Sequence, residues 1–489
     1  MEDQENTQPL LRKHYYENCP GCKVDQAKER TRGAPIRHLL NIWMVVLCTT
    51  LPISSLFPFL YFMIRDFHIA ETEQDIASYA GYVGSAYMLG RSLTSVIWGM
   101  IADRYGRKPV IVIGVTTVVI FNTLFGLSTS FWMAVGTRFL LGALNGLLGP
   151  MKAYATEIFR EEHQALGLAT VSASWGIGLI IGPAIGGYLA LPVQKYPQIF
   201  AEGSFWDKFP YFLPCFIISA FAFGVIIGCI WIPETLHNHR DSNESIDQVE
   251  ALENGSSGAN IDKTYQKPEN ENLLLNWPLM SSIISYCVFS LHDVAYQEVF
   301  SLWAVSPRKL GGMNFTTDDV GDVLAISGVS LIIYQLLFYP AVEKAFGPIT
   351  IARITAILSI PLLQSYPFIA VLSGVALFVV INIASVAKSL LSVTITTGLF
   401  LLQNRAVDQH QRGAANGICM TLMSIFKAIG PAGGGAVLTW SQKRMDANFL
   451  PGTQMVFFVL NAIELLGVLM LFKPFFAVRK KKLDQLQIQ

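Results

Sequence analysis

Twelve stretches of this chain, each close to the 20 apolar residues that a helix needs to cross a hydrocarbon core of about 30 Å, are fit to lie in lipid. They fall at 39–64, 77–100, 109–127, 131–151, 164–190 and 210–232, and then at 277–304, 319–342, 350–370, 373–401, 413–439 and 453–476. Composition agrees, with 52% hydrophobic and only 14% charged residues, against about 25% charged in a soluble domain. The expectation is an all-α integral membrane protein of twelve transmembrane helices in two six-helix bundles.

The polar segments divide the chain. Residues 1–38 form a tail, 39–232 a first bundle, 233–276 an acidic, flexible linker, 277–476 a second bundle and 477–489 a second tail. Basic residues cluster before the first helix (Arg12, Lys13, Lys23, Lys28, Arg30, Arg32, Arg37), at Arg104, Arg107 and Lys108, and at Arg479 to Lys482. With twelve spans all three places share one side, which the positive-inside rule makes the cytosol. The opposite side carries Asp66, Glu71, Glu73 and Asp75. The first 37 residues contain no signal-peptide pattern, so the first helix is expected to direct insertion. A net charge of zero gives no electrostatic case for a nucleic-acid partner, and the seven cysteines are not spaced as a disulfide framework.

The two halves echo one another. A slide of 248 positions lays Gly182-Pro183 of "GIGLIIGPAIGG" on Gly430-Pro431 of "SIFKAIGPAGGG", and Gly186-Gly187 on Gly434-Gly435. A fainter echo joins "DRYGRKP" to "KAFGPIT". Paired six-helix halves with repeats point to a secondary transporter whose binding site lies between the halves near midplane.

In "GMIADRYGRKP", Gly99 permits close helix approach, Asp103 is an acceptor at a helix end and Gly106 permits a tight turn. Arg104, Arg107 and Lys108 hold the loop on the cytosolic side. The spacing resembles the loop signature of the major facilitator superfamily, which implies gating rather than substrate contact. "RFLLGALNG" resembles that superfamily's fourth-helix pattern, which implies a proton-coupling role for Arg138. "GIGLIIGPAIGG" resembles the fifth-helix motif of its drug:proton antiporter branch at Gly178, Gly182, Pro183, Gly186 and Gly187. Small residues there allow close packing and Pro183 bends the helix; the resemblance implies antiport.

The seventh helix carries His292, Asp293 and Glu298. Counting from Trp277 at 1.5 Å per residue puts Asp293 about 24 Å into the membrane and Glu298 about 31 Å in. Glu298 is thus expected at the outer interface. Asp293 lies at hydrocarbon depth, where an ionised Asp costs roughly 2.5–3.5 kcal/mol near the centre, so it should face a polar cavity and load and release a proton. The alternative is an Asp neutralised by a basic partner that fixes packing. Gln297 shares its face, and His292 either shares the proton or fills a polar gap. Arg138 and Lys427 are candidate partners, with Lys388 deeper toward the cytosol; the superfamily resemblance favours Arg138, Asp293 and Lys388 as cavity-lining. Glu464 sits in the twelfth helix, peripheral in that fold, where an inter-helix hydrogen bond is expected.

Two further elements are "CPGC" (19–22) and "PETLHNH" (233–239). Cys19, Cys22, His237 and His239 offer four ligands of the kind that bind zinc tetrahedrally, a regulatory zinc in a chain expected to need no other cofactor. Together with "LPISSLFPFLYFMIRDF" and "LLQNRAVDQHQRGAANG", these elements resemble the plant zinc-induced facilitator-like branch of the superfamily, essentially end to end. The resemblance implies a monomeric, proton-coupled carrier of a nicotianamine-type metal chelator or its metal complex, in the vacuolar membrane before the plasma membrane. Potassium/proton exchange with effects on auxin transport, and a zinc sensor or scaffold acting through the Cys and His motifs, are the competing readings. Nothing suggests an enzyme. "NFT" places a candidate glycan at Asn314 on the non-cytosolic side.

Overall fold

The computed structural model describes residues 15–16, 18–30, 36–237, 273–407 and 412–477. Spans one to six are Ile36–Ser54 with its continuation Leu60–Asp66, Ile76–Tyr105, Arg107–Gly126, Phe131–Ile158, Glu161–Leu189 and Phe212–Cys229. Spans seven to twelve are Trp277–Val305, Thr317–Ile333 continuing into Tyr339–Phe346, Pro348–Gln364, Gly374–Arg405, Arg412–Gln442 and Gln454–Met470. Among the described residues there is no strand. Eight helices are long and apolar enough by themselves to cross a bilayer. The other spans fall short for visible reasons. The twelfth has 17 residues, a π turn at Tyr334–Phe338 interrupts the eighth, and polar side chains dilute the second and seventh.

Local chemistry sets the helix starts. Asn276 accepts from the Leu279 N–H at 3.2 Å at the head of span seven, and Thr316 and Asp319 form a reciprocal capping box at the head of span eight. Gly106 (φ 110°) and Gly347 (φ 76°) break the chain at matching points, before spans three and nine. Both take the positive φ that glycine adopts without steric cost, which gives the fainter of the two sequence echoes a structural form.

The short tail helix Pro20–Arg30, the 103–108 turn and Pro233–His237 share one face, called here the tail side. At the opposite, far side the bundles are closed on one another. One apolar core there contains Phe59, Met63 and Ala77 of the first bundle with Val299, Trp303 and Phe457 of the second. Toward the tail side the cores separate by bundle. Ion pairs bridge the bundles at the far rim: Lys309 to Glu73 at 2.6 Å, Lys443 to Asp75 at 2.5 Å and Lys195 to Asp318 at 2.5 Å.

The repeated glycines explain the closure. A Cβ on Gly182 or Gly186 would collide with Ser54 or Ser55 of span one, and one on Gly187 would sit 2.8 Å from Thr317 O of span eight. In the second half Gly434 faces Ala295 and Val299 of span seven, while Gly435 leaves no room for a Cβ against Ala77 of span two. Each pair therefore points one glycine at its own bundle and the next at the other bundle. Such spacing lets backbones approach closely where lipid gives no hydrophobic drive for helix association. Gly99 departs from expectation: nothing lies within 4 Å of its Cβ position, so no helix packs closely against it there.

Candidate functional site

Between the bundles, at mid-depth, lies a cavity of about 80 Å³ with Asp293, Gln297 and Lys388 in one wall and Ser54 and Pro183 in the other. Asp293 is half-buried. Its Oδ1 accepts from Ser392 Oγ at 2.6 Å, and its Oδ2 from Gln297 Nε2 at 3.4 Å, one turn along the same helix. Lys388 is 1% exposed, with its ammonium 5.3 Å from the ring centre of Tyr296. The Tyr296 hydroxyl in turn shares a hydrogen bond with Tyr366 at 2.7 Å. The site thus holds a carboxylate and an ammonium on neighbouring helices of one bundle, facing the other bundle.

His292 turns away from that cavity. Its Nδ1 lies 2.8 Å from Glu464 Oε2 of span twelve, with both side chains buried. The pair gives Glu464 an inter-helix partner on a span expected to be peripheral, and it ties His292 to packing. Lys388 also lies within electrostatic reach of Glu464.

Two expectations change. Arg138, expected in the cavity wall and as a partner for Asp293, is enclosed within the first bundle. Its guanidinium sits 3.7 Å from the Phe125 ring centre and donates to Pro52 O at 2.7 Å, a carbonyl in the last turn of Ile36–Ser54, where a helix runs out of N–H partners. Glu298, expected at the outer interface, is 1% exposed, with Oε2 3.1 Å from the Cβ position of Gly84 on span two. Its depth follows from the helical rise, but span seven continues to Val305 and the closed bundles cover this face. Depth alone cannot tell which face a side chain takes.

Lys427 lies within electrostatic reach of Asp293 and of Arg91. Arg91 and Lys152, both inside apolar runs, line a cavity of about 280 Å³ on the tail side of the first, with Gly417, Thr421 and Ser424 of span eleven opposite. Among the described residues no ion pair satisfies either cation. Arg91 and Lys152 of the first bundle and Lys427 of the second thus lie within electrostatic reach of one another across the bundles. A positively charged residue inside each of two apolar runs, "LGRS" and "MKAY", was the available signal.

At the tail face the 103–108 loop is bound within its own bundle. Arg107 pairs with Asp103 at 2.5 Å and Glu157 at 2.9 Å. Lys108 donates to Ile230 O at 2.8 Å, and Arg104 lies over Tyr105. The Glu234 carboxylate accepts from the Arg107 and Lys108 N–H groups, both at 2.9 Å, capping span three beside Gly106. The opening residues of the expected flexible linker, Pro233–His237, are therefore bound to the loop. Linker residues 238–272, including His239, lie outside the described residues, as do residues 1–14 and 478–489 of the tails. Cys19 and Cys22 are 2% and 4% exposed, and their sulfurs lie 3.8 and 3.9 Å from His237 Nδ1.

The Major Facilitator Superfamily model matches residues 42–431. Protein ZINC INDUCED FACILITATOR-LIKE 1 of Arabidopsis thaliana is 59% identical over 474 residues, covering 97% of this chain and 99% of its own. Protein ZINC INDUCED FACILITATOR 1 of the same plant is 56% identical over 478 residues, covering 96% and 98%. Among solved structures, a bacterial homolog to the human lysosomal transporter Spinster, inward-facing and occupied, superposes with a TM-score of 0.66 at 13% identity, over 90% of this chain and 97% of its own. A twelve-span helical body, a cavity between two related halves and relatives this close along the whole chain agree on one assignment: the chain belongs to the major facilitator superfamily, in its zinc-induced facilitator-like branch, and is a membrane transporter rather than an enzyme.

Proposed function

We propose that the chain is a proton-coupled antiporter that carries a small organic anion or zwitterion, such as a multi-carboxylate metal chelator with or without its zinc or iron, out of the cytosol. The tail side is the cytosolic side in this reading, and the arrangement described above is the cytosol-open state. One observation carries it: Asp293, held by Ser392 and Gln297, opens onto a cavity between the bundles that also contains Lys388. An acid so placed can exchange a proton when the bundles rock, and an ammonium in the same wall meets a substrate carboxylate.

Arg91, Lys152 and Lys427 support the anionic substrate, because a basic vestibule raises the local concentration of anions and repels a bare cation. This weighs against potassium exchange at the same site. Proteoliposomes with an imposed pH gradient test the reading. Labelled nicotianamine should accumulate against the proton gradient while potassium does not; potassium flux alone would replace this reading with cation exchange.

A further inference from the structure

The tail face brings together a second cluster of side chains, apart from the cavity that holds Asp293. Cys19, Cys22 and His237 come from segments more than 200 positions apart in the chain, yet their ligand atoms all lie within 4.8 Å of one another. With Zn–S near 2.3 Å and Zn–N near 2.0–2.1 Å, a tetrahedral ion sets sulfur and nitrogen about 3.6 Å apart. The observed separations are 3.8 and 3.9 Å.

The imidazole is oriented as a metal ligand is. Nδ1 faces the two sulfurs, while Nε2 lies 3.4 Å from the Asp25 carboxylate. A carboxylate behind the second ring nitrogen fixes the ring's orientation, the usual arrangement behind metal-bound histidine. Gly21 makes room for it: a Cβ there would lie 2.7 Å from the His237 ring, and the Gly21 N–H donates to Leu236 O at 3.1 Å. Backbone and side chains therefore converge on one pocket. Tetrahedral coordination leaves a fourth position, open to water or to a ligand outside the described residues.

We infer that Cys19, Cys22 and His237 bind a zinc ion that clamps the Pro233–His237 segment onto the gating loop. His237 stands three residues after Glu234, whose carboxylate holds the Arg107 and Lys108 N–H groups, and two after Thr235, which bonds Glu157 at 2.5 Å. Zinc at the cluster fixes that short segment at both ends. It thereby connects metal on the tail side to the Arg107, Asp103 and Glu157 contacts that gating must rearrange. The inference goes beyond the transport reading and stands without it, since zinc content and amide exchange need no substrate.

Full-length protein purified in detergent, loaded with buffered zinc chloride and freed of excess, should retain one zinc per chain. The Cys19→Ser/Cys22→Ser variant should retain none while keeping its monodispersity. Asp25→Asn, which keeps all three ligands, should bind about 10–100-fold more weakly. Cobalt in place of zinc should show thiolate charge-transfer absorption in the wild type and not in the double variant. Zinc should slow hydrogen exchange at the Arg107 and Lys108 amides by about tenfold or more in the wild type only. Zinc retained equally by the double variant would overturn the site, and bound zinc with unchanged exchange at 107–108 would overturn the clamp.

Discussion

Ser392 on span ten donates a 2.6 Å hydrogen bond to Asp293 on span seven, and this bond joins the two helices at the cavity wall. A hydrogen bond to a charged group contributes about 1.5–3 kcal/mol. Ser392→Ala should therefore slow pH-driven transport by about tenfold, and Ser392→Thr should restore most of it. Initial rates in proteoliposomes decide the matter, and equal rates for serine and alanine would remove the bond from the mechanism.

Gly435 and Gly187 seal the far side because each lets its helix touch the opposite bundle. Gly435→Leu should disfavour this closed arrangement by about 1–3 kcal/mol, the usual cost of overpacking. Spin-label distances across the far rim should lengthen, with the wild-type distance becoming the minor population. An unchanged distribution would mean that the far side closes by other contacts.

The far-rim pair of Lys443 and Asp75 sets a pH dependence. The Lys443 ammonium, helped by Thr72, holds the Asp75 carboxyl below its ordinary value of 3.8. A carboxyl depressed in the closed state stabilises that state fully above its ordinary value, and the contribution is lost as pH falls through the lowered one. Far-side closure should therefore be insensitive to this pair from pH 5 to 8 and weaken only below about pH 4. Lys443 is half exposed, so Lys443→Met should shift the closed population only modestly, within the range of about 0–1 kcal/mol typical of surface pairs. The same spin-label distances, followed against pH, provide the check.

Arg91 and Lys152 line the tail-side cavity, and among the described residues neither has a carboxylate partner. Arg91→Gln and Lys152→Gln should each raise the KM for an anionic substrate by roughly 10-fold or more, in keeping with about 1.5–3 kcal/mol for a charge-assisted contact, with a smaller effect on maximal rate. A kcat loss at constant KM would instead assign them to the conformational cycle.

The helices and the paired glycines were legible because both rest on chain-local properties, namely apolar length and small-residue spacing. Gly186 and Gly187 show how far that reading goes: adjacent positions, two different partner helices, in the order that the 248-residue repeat leads one to expect. What the sequence hid was facing. Glu298 was placed by depth and is covered by span two. Arg138 was placed by motif and is turned onto Phe125 and Pro52. Arg91 and Lys152 gain meaning only when span eleven of the other half stands opposite them. Glu234 reads as linker until its carboxylate is seen holding two backbone N–H groups.

Proton movement measured together with substrate movement is the most direct test of the account. Wild-type protein in vesicles with an imposed pH gradient should drive uptake of the chelator and dissipate the gradient, while Asp293→Asn, folded and inserted equally well, should do neither and still permit substrate exchange at equal pH. Undiminished pH-driven uptake by Asp293→Asn would contradict the account at its centre.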